Sequence, residues 1–115
     1  MRRKLVFGII LVALGVVGVL YAQQKYPNVA DPTVVLDNDQ VVVQRMEMKP
    51  GEWVGEHSHH GDQLVVSLSK MSLMYKEGGK ETERTFEVGD VMWIDAGKHD
   101  HKPLTEGTAI LITVK

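Results

Sequence analysis

The chain has no cysteine among its 115 residues, so it forms no disulfide, offers no thiolate nucleophile and builds no zinc site on sulfur. That absence is compatible with any redox compartment and decides none. A basic stripe is missing too. Thirteen Lys and Arg stand against fifteen Asp and Glu, and three of the basic residues, Arg2, Arg3 and Lys4, belong to an acid-free leader, leaving ten against fifteen in the rest. A mildly acidic domain of this kind has no electrostatic footprint for nucleic acid. There is no internal repeat, no low-complexity tract and no window of helical period. Nor is there an obvious general base, nucleophile pair or phosphate loop, apart from the histidines.

Arg2-Arg3-Lys4 followed by the apolar run Leu5 to Leu20 has the form of a charged n-region and an apolar h-region, and Tyr21-Ala22-Gln23 offers a small residue for cleavage. Residues 1–22 are expected to be a signal peptide cut near Ala22, or a membrane anchor if retained, since about 18 apolar residues just span a bilayer. Either outcome puts the domain outside the cytoplasm, periplasmic or secreted. The membrane is then touched only through this segment.

Residues 23–36, with Tyr26-Pro27-Asn28 and Asp31-Pro32, read as an arm or linker, and residues 37–115 as the folded domain. Short runs rich in β-branched residues recur at Thr33 to Leu36, Gln40 to Met48, Gln63 to Leu68, Met71 to Tyr75, Thr85 to Val88, Val91 to Ile94 and Thr108 to Val114. Turn residues separate them, and Glu77-Gly78-Gly79-Lys80 is a hairpin signal. Many short strands at regular spacing predict an all-β sandwich or barrel of antiparallel strands. Alternation in Met71, Leu73 and Tyr75 points these three inward. The last strand is apolar on both faces, which predicts a covered outer face and a possible homodimer.

All five histidines fall in two clusters, His57-Ser58-His59-His60 and His99-Asp100-His101. In a strand, residues two apart share a face, so His57 and His59 can grip one ion. A third imidazole must come from elsewhere, and His99 is favoured with His101 in reserve. Gln63 shares the parity of the first pair if the turn at Gly61-Asp62 does not break it. His60 and Asp62 have the opposite parity and are expected to face solvent. Trp53, Tyr75 and Trp93 read first as core aromatics, with a wall of a substrate pocket as the alternative. The methionines at strand positions read as apolar filler rather than copper ligands.

Gly51, five residues, His57-x-His59, three residues and Gln63 together resemble the first motif of the cupin superfamily, with Gln63 in place of the usual Glu. Gly89-Asp90-Val91-Met92-Trp93-Ile94-Asp95-Ala96-Gly97-Lys98-His99 is similar to the second, with Asp95 where proline is usual. The resemblance implies a single antiparallel double-stranded β-helix, the cupin or jelly-roll barrel. It also implies a divalent transition metal, iron, manganese, nickel or zinc, on His57, His59, Gln63 and His99. A small-molecule ligand would complete the site. Two functions follow as expectations: a metal-dependent oxygenase of a small organic molecule, or a non-catalytic extracytoplasmic module binding metal or a small ligand.

Overall fold

In the computed structural model, which describes residues 24–115, the chain forms eight strands and, among the described residues, no helix. The expected leader and its cleavage point lie outside the described residues. The strands are β1 (Thr33–Asp37), β2 (Val41–Met48), β3 (Gln63–Ser67), β4 (Met71–Glu77), β5 (Lys80–Phe86), β6 (Val91–Ile94), β7 (Asp100–Pro103) and β8 (Gly107–Val114). They make a five-stranded sheet in the order β1-β2-β8-β3-β6 and a three-stranded sheet in the order β5-β4-β7, with every pairing antiparallel.

Period-two alternation explains the core between the sheets. Val42, Met46 and Met48 on β2, Ala109 and Leu111 on β8, and Val65 on β3 are buried from one side. Met71, Leu73 and Tyr75 on β4 are buried from the other, joined by Phe86 at the end of β5. Removing this much apolar surface from water is the main force closing the barrel. The β4–β5 hairpin turns at Gly78 (φ 58°) and Gly79 (φ 78°). Two consecutive positive φ angles make the two-residue turn whose twist matches the strands, and glycine takes them without strain.

Two elements differ from the sequence expectation. The strand expected at Thr85 to Val88 runs instead from Lys80 to Phe86, and six of its seven residues are exposed. Its Lys-Glu-Thr-Glu-Arg-Thr sequence has no apolar alternation because it is a sheet edge, where charge discourages pairing with another chain. The short β7, Asp-His-Lys-Pro, was not expected at all, having no β-branched residue. It is held on one side by β4. On the other side runs the segment 51–57, through Gly51 N to Pro103 O (3.3 Å), Val54 N to His101 O (2.9 Å) and the His57–His99 pair.

Candidate metal centre

His57 and His99 face one another across antiparallel backbone, each amide donating to the other's carbonyl at 2.9 Å. Directly opposed residues in such a pair project to the same face. His101, two residues on from His99, keeps that face and stands opposite Tyr75 in the β4–β7 ladder. The His57 ring centroid lies 4.5 Å from that of His99 and 5.9 Å from that of His101, and His59 lies 4.7 Å from His99. His99 and His101, alternatives in the sequence, are both delivered to one cluster because a two-residue step along a strand does not change sides.

Glycine carbonyls orient these rings. His57 Nδ1 donates to the Gly55 carbonyl at 2.6 Å, and His59 Nδ1 to the Gly61 carbonyl at 2.7 Å. The His99 ring bonds the Gly97 carbonyl in the same way. A carbonyl only accepts, so in His57 and His59 the proton sits on Nδ1 and the lone pair on Nε2, the arrangement that a metal-ligating imidazole requires. His59 Nε2 and His101 Nε2 are buried without a hydrogen-bond partner. Buried polar atoms are nearly always paired, so two orphaned imidazole nitrogens in one cluster call for a missing partner. The glycines are also sterically specified. A Cβ on Gly55 would run into the Pro27 ring, and one on Gly61 into the Val114 carbonyl.

Burial favours the neutral form of His57, His99 and His101. It lowers the pKa of His101 to about 3, with the neighbouring His57 and His99 adding to the effect, and that of His99 to about 4, with His57 and His59 adding. His57 is lowered as well, since burial outweighs its bond to Gly55 and the nearby Asp100 carboxylate. Two phenols flank the rings. Tyr26 lies edge-on to His57 (4.9 Å) and His101 (5.4 Å), and Tyr75 stacks on His99 (5.6 Å). Burial raises both phenol pKa values, that of Tyr75 to about 12, so both stay protonated.

As placed, the donor atoms do not converge: among the described residues no group of three or more His, Asp and Glu is arranged to hold an ion. The residues fit a metal in donor type, protonation and neighbourhood. Gln63 is buried at the same cavity, and its Nε2 donates to Thr113 Oγ1 (3.0 Å) and Gln24 Oε1 (3.4 Å). That leaves its amide oxygen as the end not used by these bonds. The cavity itself is about 40 Å³, lined by His57, His99, His101, Gln63 and the two tyrosines on its polar side and by Met, Leu, Val, Ile and Phe elsewhere.

The other expected residues separate. Tyr75 lines the cavity, whereas Trp93 is 55% exposed with its indole N–H on Asp95, and Trp53 lies under the ammonium groups of Lys76 and Lys102. Trp93 faces outward because its β6 neighbours Met92 and Ile94 hold the inward parity. His60 is exposed, and Asp62 accepts the Ala96 amide at the surface. Met46, Met48, Met71 and Met92 line the interior as filler, and Met46 Sδ accepts the Tyr26 hydroxyl at 3.3 Å.

Four site residues had not been singled out. Gln24 N donates to Gln44 Oε1 at 2.8 Å, and Gln44 Nε2 returns to the carbonyls of Gln24 and Pro32, both at 3.3 Å. With Gln63 and Thr113 this makes a buried polar relay that pins the arm inside the barrel and carries Tyr26 to the histidines. A signal existed for Gln44 and Thr113, polar residues at the inward parity of otherwise apolar strands. Gln24 and Tyr26 lie in an aperiodic segment that carries none.

Solved structures decide the fold. A cupin domain from Bordetella pertussis Tohama I superposes with a TM-score of 0.66 at 26% identity, covering 80% of this chain and 98% of that one. The fold is a cupin fold. A cupin superfamily protein from Desulfitobacterium hafniense matches the barrel with a TM-score of 0.61 at 19% identity, over 80% of this chain and 82% of its own. A more distant structural match, TM-score 0.52 at 11% identity over 64% of this chain and 42% of the other, is Fe(II)-HppE with the alternative substrate (S)-1-HPP. No family model and no curated protein matches the chain.

Proposed function

We propose that this cupin barrel binds a divalent transition metal through His57, His59 and His99, with His101 the further imidazole within reach and Gln63 offering its amide oxygen. The observation that carries the reading is the gathering of four imidazoles around one another, with two Nδ1 atoms tied to glycine carbonyls and two Nε2 atoms buried and unpaired. Imidazole with an oxygen donor suits iron(II), manganese, nickel or zinc. When bound, such an ion supplies a Lewis-acid centre with open positions for a small ligand.

The chain's own groups define what that ligand meets. Neutral histidines leave the full charge of a divalent ion uncompensated, which favours an anionic or enolate-like organic molecule. Tyr26 and Tyr75 stay uncharged beside the imidazoles, and the methionine, leucine and phenylalanine walls keep bulk water away. Oxidation of a small organic molecule is the reaction class that this site suits, and an iron(II)-containing protein among the structures of the same fold supports it. The second reading is a non-catalytic module outside the cytoplasm, favoured by the cavity size, since about 40 Å³ admits only a few water-sized groups.

Elemental analysis of protein purified without a histidine tag tests the metal. Near-stoichiometric iron, manganese, nickel or zinc is expected, and loss of all metal on gentle dialysis would overturn the proposal. Oxygen uptake by the loaded protein over a panel of small carboxylates and enols then separates the oxygenase from the binding module.

A further inference from the structure

The arm ahead of β1 is built into the histidine cavity rather than laid over it. Gln24 is buried, and three of its groups bond to glutamines of the large sheet. Its amide donates to Gln44 Oε1 (2.8 Å), its carbonyl accepts Gln44 Nε2 (3.3 Å) and its Oε1 accepts Gln63 Nε2 (3.4 Å). Further along, the Tyr26 amide donates to Asp31 Oδ1 at 3.0 Å and the Asn28 amide to the Val54 carbonyl at 2.9 Å, so the segment is fastened on both sides of the phenol. Pro27 packs so closely on Gly55 that no Cβ fits there, and the Gly55 carbonyl is the acceptor that sets the His57 ring. Tyr26 itself is buried, edge-on to His57 and His101, with its hydroxyl committed to Met46 Sδ.

We propose that Tyr26 sets the size of the ligand that this centre accepts, an inference that rests on metal binding at the histidine cluster. Its ring takes the space that a ring-bearing acid would need, which leaves the site to small anions such as azide or formate. The remaining cavity is about 40 Å³, and since one water-sized group takes roughly 10 to 15 Å³ of such space, an ion and a ligand of about two or three heavy atoms fill it. Every other apolar or aromatic residue lining the cavity sits on one of the eight strands, where cross-strand register fixes its place. Tyr26 alone among them enters from outside the strands, so it is the wall that can change without altering the sheets. The ring acts, not the hydroxyl, whose proton goes to the Met46 thioether. Because bonds hold the arm on both sides of the phenol, the limit is fixed rather than a lid that opens.

Cobalt(II), whose visible spectrum reports its ligands, is loaded into the full chain, Tyr26→Ala and Tyr26→Phe, and each is titrated with azide, formate, benzoate and phenylacetate. The parent should bind azide and formate and discriminate against the two ring-bearing acids. Tyr26→Ala should bind benzoate about tenfold or more tighter than the parent does, with azide little changed, and Tyr26→Phe, which keeps the ring, should restore the parent's preference. Tyr26→Val replaces Tyr26→Ala should the latter not fold. Benzoate binding to the parent as tightly as azide, or a cobalt-loaded Tyr26→Ala that keeps the parent's preference, would overturn the proposal. Absence of cobalt from all three proteins would overturn the metal reading instead, and the size limit is then read from melting temperature in metal-free protein. Phenol should raise it in Tyr26→Ala and not in the parent, and equal shifts, or none in either, would overturn the limit.

Discussion

The two sheets differ in what they place on each face. The five-stranded sheet sends apolar, amide and hydroxyl groups inward and an apolar row outward. The three-stranded sheet sends Tyr75 and His101 inward, joined by His99 and His57 from its flank, and lysine and glutamate outward. Both sheets thus fill the core, and the smaller one with its flank also carries the imidazoles. Gln63 is the polar residue that the large sheet adds to the histidine cavity, beside Met46, Val65 and Leu111 of the same sheet. The difference teaches that stability and ligation can be perturbed separately.

The largest effect expected is on metal. Replacing His57, His59 or His99 by Ala should remove most of it, measured as bound metal per folded chain, because three neutral donors cannot spare one. Gln63→Ala should weaken binding less, and Gln63→Glu should hold a divalent ion at least as tightly through its added charge. Full occupancy in His99→Ala with loss in His101→Ala would exchange their roles. On the large sheet the expected pattern inverts. Val42→Ala, at a fully buried β2 position outside the cavity lining, should lower unfolding free energy by about 1 to 3 kcal/mol in denaturant titration while leaving the metal content of the folded fraction unchanged. A matched loss of metal would break the division between the sheets.

Acid sharpens the comparison, since the depressed pKa values belong to the histidine cluster. In metal-free protein these imidazoles are neutral in both folded and unfolded chains above the ordinary histidine pKa near 6.5. Below it the unfolded chain takes up protons first, so stability falls as pH drops from about 6.5 through the values near 4 and 3 of His99 and His101. The melting temperature should follow that fall, and a profile flat from pH 7 to 4 would contradict it. The smallest effects belong to β5. Glu83→Ala on its exposed edge should change stability by less than about 0.5 kcal/mol, whereas Gly79→Ala at the turn should cost about 1 kcal/mol, because alanine resists φ near 78°.

The same division governs what could be read from the amino acids. β2, β4 and β8 were legible because an apolar residue recurs at every second position, and the Gly78-Gly79 turn because its chemistry is specific to a tight hairpin. β5 and β7 were not, because their residues are held by neighbours rather than by their own preferences. The histidine positions followed from spacing, but whether His99 or His101 joined the cluster could not be decided, since parity admits both and the backbone delivers both. Tyr26 was illegible for a different reason. Its place depends on Gln24 and Gln44 bonding across twenty residues, a contact that leaves no periodic trace.

β8 pairs with β2 on one side and β3 on the other, yet it follows every other strand in sequence. Until it forms, β1-β2 and β3-β6 are separate hairpin-like pieces with open edges, and neither face of the large sheet exists. Closing Val41 onto Val114 links residues far apart along the chain, which makes the step slow relative to forming the local β4–β5 hairpin. A chain emerging N-terminus first therefore stays open until its last strand is available. The apolar strands of the large sheet, rather than the histidines, are what a chaperone would have to shield during that interval.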